Sequence, residues 1–296
     1  MRVQTSSHTR SSLHSLDRTT ERRACIMEKI SVVINTYNAS LHLRSVLDSV
    51  KDFDEVLLCD MESTDDTLSI FETFSQTPGL QCSCRTITFP RKEYNIVEPA
   101  REYAIHEAAS EWVLVVDADE IVSNELRQFL YDTIQKPEAP AGLRIARKNY
   151  FMGRFMHCHY PDYILRFFRR DVTHWPPVIH CSPEVAGKIE DIPSNRTDLA
   201  FEHLANDSVG AIVRKTDQYT DNEVPKKRHK KYGIIAYMWR PFFRFFKAYI
   251  LKGGWRDGRP GFIKACLEGQ YQFVILAKLD EEKHRILNDM KSKLAQ

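Results

Sequence analysis

The chain has no apolar stretch near the roughly 20 residues that a transmembrane helix requires, so no spanning helix is expected within these 296 residues. It has no Cys-x-x-Cys pair, and its seven cysteines (Cys25, Cys59, Cys82, Cys84, Cys158, Cys181, Cys266) are odd in number and irregularly spaced. A disulfide framework and a structural zinc site are therefore not expected, and reduced cysteines in a cytosolic protein are. The chain also lacks a charge excess of one sign. Its formal net charge is +2, which argues against binding nucleic acid along its whole length. Residues 1–26 lack the apolar core of a signal peptide and are rich in Ser, Thr and Arg. Their composition predicts a disordered leader, and Asp17 and Glu21 argue against a transit peptide. Ordered structure is expected to begin just after Met27, which is read as the natural start of translation.

What remains suits one large α/β domain with an appendage. Ile30–Ile34 is a strand, followed by the polar turn Asn35-Thr36-Tyr37-Asn38. Leu41–Val50 reads as a helix with its apolar residues near one face. Asp54–Cys59 is a second strand ending at Asp60, and Ser63-Thr64-Asp65-Asp66 can cap a helix over Thr67–Phe74. Cys84–Phe89 is a third strand, and Pro99–Ser110 a helix. Trp112–Val116 is a buried strand that runs into Asp117-Ala118-Asp119-Glu120. This alternation predicts a mostly parallel sheet. Farther on, Ala141–Arg147, Tyr163–Phe168 and Leu199–Leu204 read as strands, with a Pro-rich turn over His174–Pro183. From Asp207 the chain reads as helical. Residues 205–264 carry 14 Lys/Arg against 5 Asp/Glu.

In a doubly wound sheet, the loops after the three main strands share one edge, where ligands bind. Two carboxylates one residue apart at such an edge form a hard-oxygen site for Mg²⁺ or Mn²⁺. An Asp-x-Asp alone is weak evidence, because acidic residues also cap helices. Its position after a strand, with Asn35–Asn38 and Asp60–Thr67 upstream, strengthens it.

This ordered set resembles the family 2 glycosyltransferases of the GT-A fold over about Lys29 to Leu204. The closer likeness is to bacterial lipopolysaccharide core β-glucosyltransferases. It is carried by Val115–Glu120, by Tyr160-Pro161-Asp162 with Leu165–Arg170, by the segment around His180, and by His203-Leu204. The resemblance implies an inverting enzyme that moves a hexose from a nucleotide-diphosphate sugar, expected to be a UDP-sugar. The acceptor it implies is a lipid-linked glycan such as a lipopolysaccharide core. It implies Asp119, Asp117 and His203 as metal ligands for Mg²⁺ or Mn²⁺. Thr36, Tyr37, Asn38, Asp60, Arg101 and Asp117 would contact the nucleotide-sugar, with Arg91 and Lys92 as looser candidates. Two carboxylates, Glu184 and Asp162, compete as general base, with Glu184 slightly ahead. Family members often carry His followed directly by Glu here, whereas this chain reads His180-Cys181-Ser182-Pro183-Glu184.

The expected organisation is a leader (1–26), a GT-A catalytic domain (27–206) and a helical, basic extension (207–296). Within the extension, a helix over Ile234–Leu251 would place Met238, Phe242, Phe245, Phe246, Tyr249 and Ile250 on one face. Arg240, Arg244 and Lys247 would fall opposite. Such a helix either docks on the domain or lies at an anionic membrane surface. Peripheral contact with the inner face of the cytoplasmic membrane is therefore expected. The Gly-rich turn over residues 253–261 would either admit an acceptor close to the backbone or serve as a plain turn. Two rival functions are a nucleotidyltransferase of similar fold and a catalytically silent sugar- or nucleotide-binding membrane adaptor. The first usually shows a Gly-rich signature after its first strand, and Asn35–Asn38 is not one. The intact acidic triplet argues against the second.

Overall fold

The structure, a computed structural model, describes residues 28–91, 96–178, 181–204 and 208–294. The expected leader, Lys92 and His180 lie outside the described residues.

The sheet forms where the apolar runs predicted it. Strands β1 (Ile30–Thr36), β2 (Glu55–Asp60), β3 (Ser83–Thr88) and β4 (Trp112–Asp117) pair in parallel, in the order β3-β2-β1-β4. Both faces of β1 are covered, which is why its sequence is continuously apolar rather than alternating. Val32 and Ile34 pack with helices α1 (Leu43–Val50) and α2 (Thr67–Ser75). Val33 packs on the other face with Ala104 and Ile105 of α3 (Glu98–Glu107). The predicted cap of α2 comes from Asp65, whose Oδ1 accepts from the Thr67 backbone N–H at 3.1 Å.

Beyond β4 the chain makes a short β5 (Glu120–Ile121), helix α4 (Asn124–Ile134) and a long β6 (Gly142–Phe151). Strand β6 turns through Met152 and Gly153, both at positive φ, into β7 (Arg154–Phe155). Strand β8 (Asp162–Arg169) then inserts antiparallel between β4 and β6. The small strands β9 (Thr173–His174) and β10 (Glu184–Val185) form a separate hairpin, and β11 (Ile189–Asp191) adds to β6. Strand β12 (Phe201–His203) lies parallel to β6 and antiparallel to β5. The strands predicted over 141–147 and 163–168 are thus both longer than their apolar cores suggested.

Three helices follow: α5 (Val209–Lys227), α6 (Ile234–Phe246) and α7 (Gly258–Leu294). A π-helical turn extends α6 over Lys247–Leu251. A 3₁₀ turn (Gly254–Asp257) leads into α7. The glycines here serve backbone packing. A Cβ on Gly261 would lie 1.9 Å from the Gly254 carbonyl oxygen, which no side chain tolerates.

Helix α6 departs from the split expected from its sequence. Tyr237, Arg244, Phe245 and Tyr249 turn toward α7. The Tyr237 hydroxyl donates to the Leu276 carbonyl at 3.1 Å, Arg244 pairs with Glu268 at 2.8 Å, and Phe245 and Tyr249 pack edge-on against Phe262. Met238, Phe242, Phe246 and Ile250 face outward. Simple helical spacing groups Phe245 and Tyr249 with the outward rings. The long partner helix captures them because their flat faces and Arg244 suit the contact with Phe262 and Glu268. No described helix is long and apolar enough to cross a membrane.

Candidate active site

The strand register gathers the predicted loops at one edge. Asn35 of β1 lies beside Cys59 on one side and Asp117 on the other, and Thr36 beside Asp60. Asp60 is buried. Its carboxylate accepts from Thr36 Oγ1 (3.1 Å), Ser63 Oγ (2.6 Å) and the Ser63 backbone N–H (2.9 Å). Asn38, at φ 49°, accepts from the Thr64 N–H at 2.8 Å, while its own N–H donates to Ser63 Oγ at 2.9 Å. Thr36, Asn38 and Asp60 therefore lock the first two loops together. Tyr37 is exposed, and the Arg91 guanidinium covers its ring at 3.6 Å from the centroid.

Asp117 is enclosed by two arginines. Its Oδ1 accepts from Arg101 at 2.5 Å and its Oδ2 from Arg166 at 2.7 Å. Burial alone would raise its pKa. The charges of Arg166 and Arg101 outweigh that and hold it down to about 2. Both guanidinium groups also lie near the face of buried Trp175, at 4.9 and 5.4 Å from its ring centroid. Trp175 and His174 are clamped to α3 through Glu102, at 2.7 and 2.8 Å. Directly after the triplet, Glu120 is fully buried. It accepts from the Asp117 N–H at 3.0 Å and from Arg147 at 3.3 Å. Burial and the nearby Asp117 charge push its pKa up.

Asp119 stands apart from this cluster. Its side chain is a third exposed, and its one described polar side-chain contact is His203 Nε2, 3.3 Å from Oδ2. Pairing of β12 with β5 brings this histidine in, and the Leu204 N–H donates to the Asp119 carbonyl at 2.7 Å. Asn149 sets the imidazole. Its Nδ2 donates to Asp162 Oδ2 at 3.0 Å, which fixes the amide, so its Oδ1 accepts from His203 Nδ1 at 2.8 Å. In the neutral ring Nε2 then carries the lone pair, and it faces a carboxylate oxygen. Two acceptors so placed call for a proton or a cation between them. Neighbouring ligands of an octahedral cation with bonds of about 2.1 Å lie roughly 3 Å apart. An oxygen and an imidazole nitrogen, the latter held by an outer hydrogen bond, are also a chemically apt pair for Mg²⁺ or Mn²⁺. The donor set thus fits a divalent cation. Among the described residues no third His, Cys, Asp or Glu joins them, so a cation here would complete its shell with phosphate oxygens and water.

Asp162 is anchored by one oxygen only. Oδ2 accepts from Arg147 Nε (3.0 Å), Arg147 Nη2 (2.8 Å) and Asn149, whereas Oδ1 takes no hydrogen bond from the described residues. Burial raises the Asp162 pKa, but Asn149 and Arg147 together bring it below the usual value. Glu184 is exposed on the β9–β10 hairpin opposite His174.

Three openings run along this edge. A cleft of about 470 Å³ is lined by residues including Asn35, Tyr37, Arg101, Asp117, Asp119 and His203, within the ~300–1,000 Å³ usual for small-molecule sites. His203 also borders a 230 Å³ gap that reaches His159. His159 in turn borders a 660 Å³ groove between Tyr160-Pro161-Asp162 and Ile250–Arg256. A buried carboxylate fastens the two walls of this groove: Asp257 accepts from His157 N–H (3.0 Å) and Cys158 N–H (3.3 Å) and pairs with His157 Nδ1 at 2.6 Å.

The structure therefore brings Asp117, Asp119, His203, Tyr37, Asn38 and Arg101 to one cleft. It places Asp162 on the groove beyond the His203–His159 gap, and Thr36 and Asp60 beneath the loops. Glu184 lines none of the three openings. Arg166, Arg147, Asn149 and Glu120 went unassigned in the sequence. A signal existed for Arg166, an arginine amid the apolar residues of β8, which needs a counter-charge once buried. No local signal marked Asn149, whose importance lies wholly in its two distant partners.

Comparison with known proteins identifies the family and the fold. The sequence model of the family described as Glycosyl transferase family 2 matches residues 31–187. An uncharacterised glycosyltransferase of Rickettsia felis is 27% identical over 272 residues, covering 86% of this chain and 90% of that protein. The lipopolysaccharide core biosynthesis glycosyltransferase LpsC of Rhizobium meliloti is 24% identical over 262 residues, covering 84% and 91%. Among solved structures, a mannosyltransferase of Pyrobaculum calidifontis in complex with GDP-Man and Mn²⁺ superposes with a TM-score of 0.53 at 13% identity, covering 88% and 89%. That likeness is one of fold, the GT-A arrangement of a mostly parallel sheet with flanking helices. With the family match spanning more than half of its length, this glycosyltransferase belongs to glycosyl transferase family 2.

Proposed function

We propose that the enzyme transfers a hexose, with inversion, from a nucleotide-diphosphate sugar, UDP in the first instance, to a lipid-linked saccharide of the lipopolysaccharide-core kind. The observation that carries this reading is the Asp119–His203 pair, whose Oδ2 and Nε2 lie 3.3 Å apart at the cleft with the imidazole held by Asn149. These two residues would hold the cation, which when bound offsets the charge that grows on the departing diphosphate. Tyr37, Asn38 and Arg101 border the nucleotide end of the cleft. The two arginines on Asp117 add positive potential at its floor.

We assign proton acceptance to Asp162 rather than Glu184. Three hydrogen bonds orient its Oδ2, and it lines the groove that lies beyond the gap between His203 and His159. Its lowered pKa keeps it ionised at neutral pH. The acceptor oxygen forms the new bond to the anomeric carbon, and its proton passes to Oδ1. The bond from that carbon to the diphosphate breaks, and its electron pair leaves with the diphosphate. A single displacement of this kind inverts the anomeric centre. The lipopolysaccharide-core name of the Rhizobium relative supports the acceptor class, and the Mn²⁺ and GDP-Man held by the Pyrobaculum enzyme support a metal-assisted nucleotide-sugar reaction.

The test is release of nucleoside diphosphate from a panel of UDP-, GDP- and dTDP-hexoses with and without Mn²⁺. A metal-dependent release with one donor, lost in Asp119→Ala, is expected. On an acceptor glycan, Asp162→Asn should lower kcat at least a hundredfold with donor KM little changed, and Glu184→Gln should stay within a few fold. Metal-independent turnover would overturn the role of Asp119, and the reverse ranking of the two carboxylate variants would return the base to Glu184.

A further inference from the structure

Helix α6 is apolar on two sides. Its inward side, Tyr237, Pro241, Phe245 and Tyr249 with Arg244 at the edge, packs on α7. Two adjoining ridges at four-residue spacing point outward and are apolar: Ile234, Met238, Phe242, Phe246 and Ile250, and next to them Ile235, Trp239 and Phe243. Ile234 and Met238 are 81% and 79% exposed, and Trp239 and Phe242 58% and 56%. Leu251 and Trp255 continue the patch across the following turn. Contiguous apolar surface of this kind marks a site of association.

The charge around the patch identifies the partner. From Val224 to Arg256 the chain carries ten Lys/Arg and no Asp or Glu. Lys226, Arg228, Lys230 and Lys231 stand exposed immediately before α6, and Arg240, Lys247, Lys252 and Arg256 along its flanks and end. Rings and aliphatics on one face, flanked by this run of cations, are complementary to an apolar layer capped by anions. That is the surface of a bilayer containing acidic lipids. A second copy of the chain would instead bring cations against cations around the same patch. The helix is also too short and too charged to span a bilayer.

We propose that the outward face of α6, with the turn through Trp255, is a docking surface for anionic lipid bilayers. The apolar ridges enter the headgroup–acyl boundary, and the basic segment at residues 226–231 meets the headgroups. Ile250, Leu251 and Trp255 also line the groove that ends at Asp162. Docking therefore sets the mouth of that groove at headgroup level, where a lipid-borne substrate presents its saccharide.

The experiment is flotation of the full chain with vesicles of phosphatidylcholine alone, or with 30 mol% phosphatidylglycerol, at physiological salt. Binding to the anionic vesicles is expected, with at least tenfold weaker binding to phosphatidylcholine. A Lys226→Gln/Lys230→Gln/Lys231→Gln variant should bind more than tenfold more weakly, at roughly fivefold per basic residue. Trp239→Ser/Phe242→Ser should weaken binding tenfold or more. Neither variant should change soluble donor hydrolysis, so a failure of docking is distinguishable from a failure of the catalytic reading. The wild-type protein supplies an independent readout. Trp112 and Trp175 are buried while Trp239 and Trp255 are exposed, so a blue shift and quenching by brominated lipid report insertion of this face. No flotation with anionic vesicles, or flotation unaffected by both variants, overturns the proposal. So does a concentration-dependent dimer, abolished by Trp239→Ser/Phe242→Ser, in a protein that ignores vesicles.

Discussion

The two aspartates of the Asp-x-Asp triplet should respond to the same substitution in opposite ways. Asp117→Asn removes the carboxylate shared by Arg101 and Arg166, whose side chains are 12% and 8% exposed. Removing one partner of a buried ion pair costs about 3–5 kcal/mol. Asp117 itself keeps some access to water, so the lower end, about 3 kcal/mol, is expected. For a domain of this size that lowers Tm by roughly 6–12 °C. Asp119→Asn strands no buried charge and should change stability by under about 1 kcal/mol. Its effect appears with ligand. Mn²⁺ and UDP at 100 times their dissociation constants stabilise the wild type by about 2.7 kcal/mol, and Asp119→Asn should lose that gain. Thermal denaturation of the three proteins, with and without Mn²⁺ and UDP, reads all of this. Adding Arg166→Met to Asp117→Asn should recover about 1 kcal/mol or more, because one uncompensated cation is removed. An Asp117→Asn protein melting within about 2 °C of wild type would refute the structural role of Asp117. A full metal-dependent shift in Asp119→Asn would refute its role at the cation.

Two more outcomes follow from the same network. Asn149→Ala removes the hydrogen bond that fixes the His203 tautomer and should weaken Mn²⁺ binding about 10–100-fold in a metal titration, whereas unchanged affinity would show that the imidazole is oriented by other means. The Asp117 pKa is lowered on folding from 3.8 to about 2, so its contribution of about 2 kcal/mol is present above pH 4 and lost as pH falls toward 2. Wild-type stability should drop across that window and Asp117→Asn should lack that part of the acid limb, with Glu120, raised by burial, working in the opposite sense.

The sheet and the loops gathered at its carboxyl edge were legible in the order of residues. Continuous apolar runs such as Ile30–Ile34 and Trp112–Val116 state that both faces of a strand are covered, and the polar residues that end them state where the loops begin. These are local properties of spacing and side-chain chemistry, so Asn35–Asn38, Asp60 and Asp117–Asp119 could be read directly from the order of residues. The division of labour inside that edge could not. Asp117 and Asp119 are equivalent in sequence, and only the arrival of Arg166 from β8 and His203 from β12, 49 residues from Asp117 and 84 from Asp119, makes one the counter-ion of two arginines and sets the other against an imidazole. The same holds for Asp162, whose orientation depends on Arg147 and Asn149 from β6. Helix α6 shows it on a larger scale. Its amphipathic period was plain in the sequence, but which face turned inward was decided by contacts with Glu268, Phe262 and Leu276 of α7. Periodicity is a property of one segment, whereas a side chain's charge partner and its exposure are properties of two, and only the tertiary structure brings the second within reach.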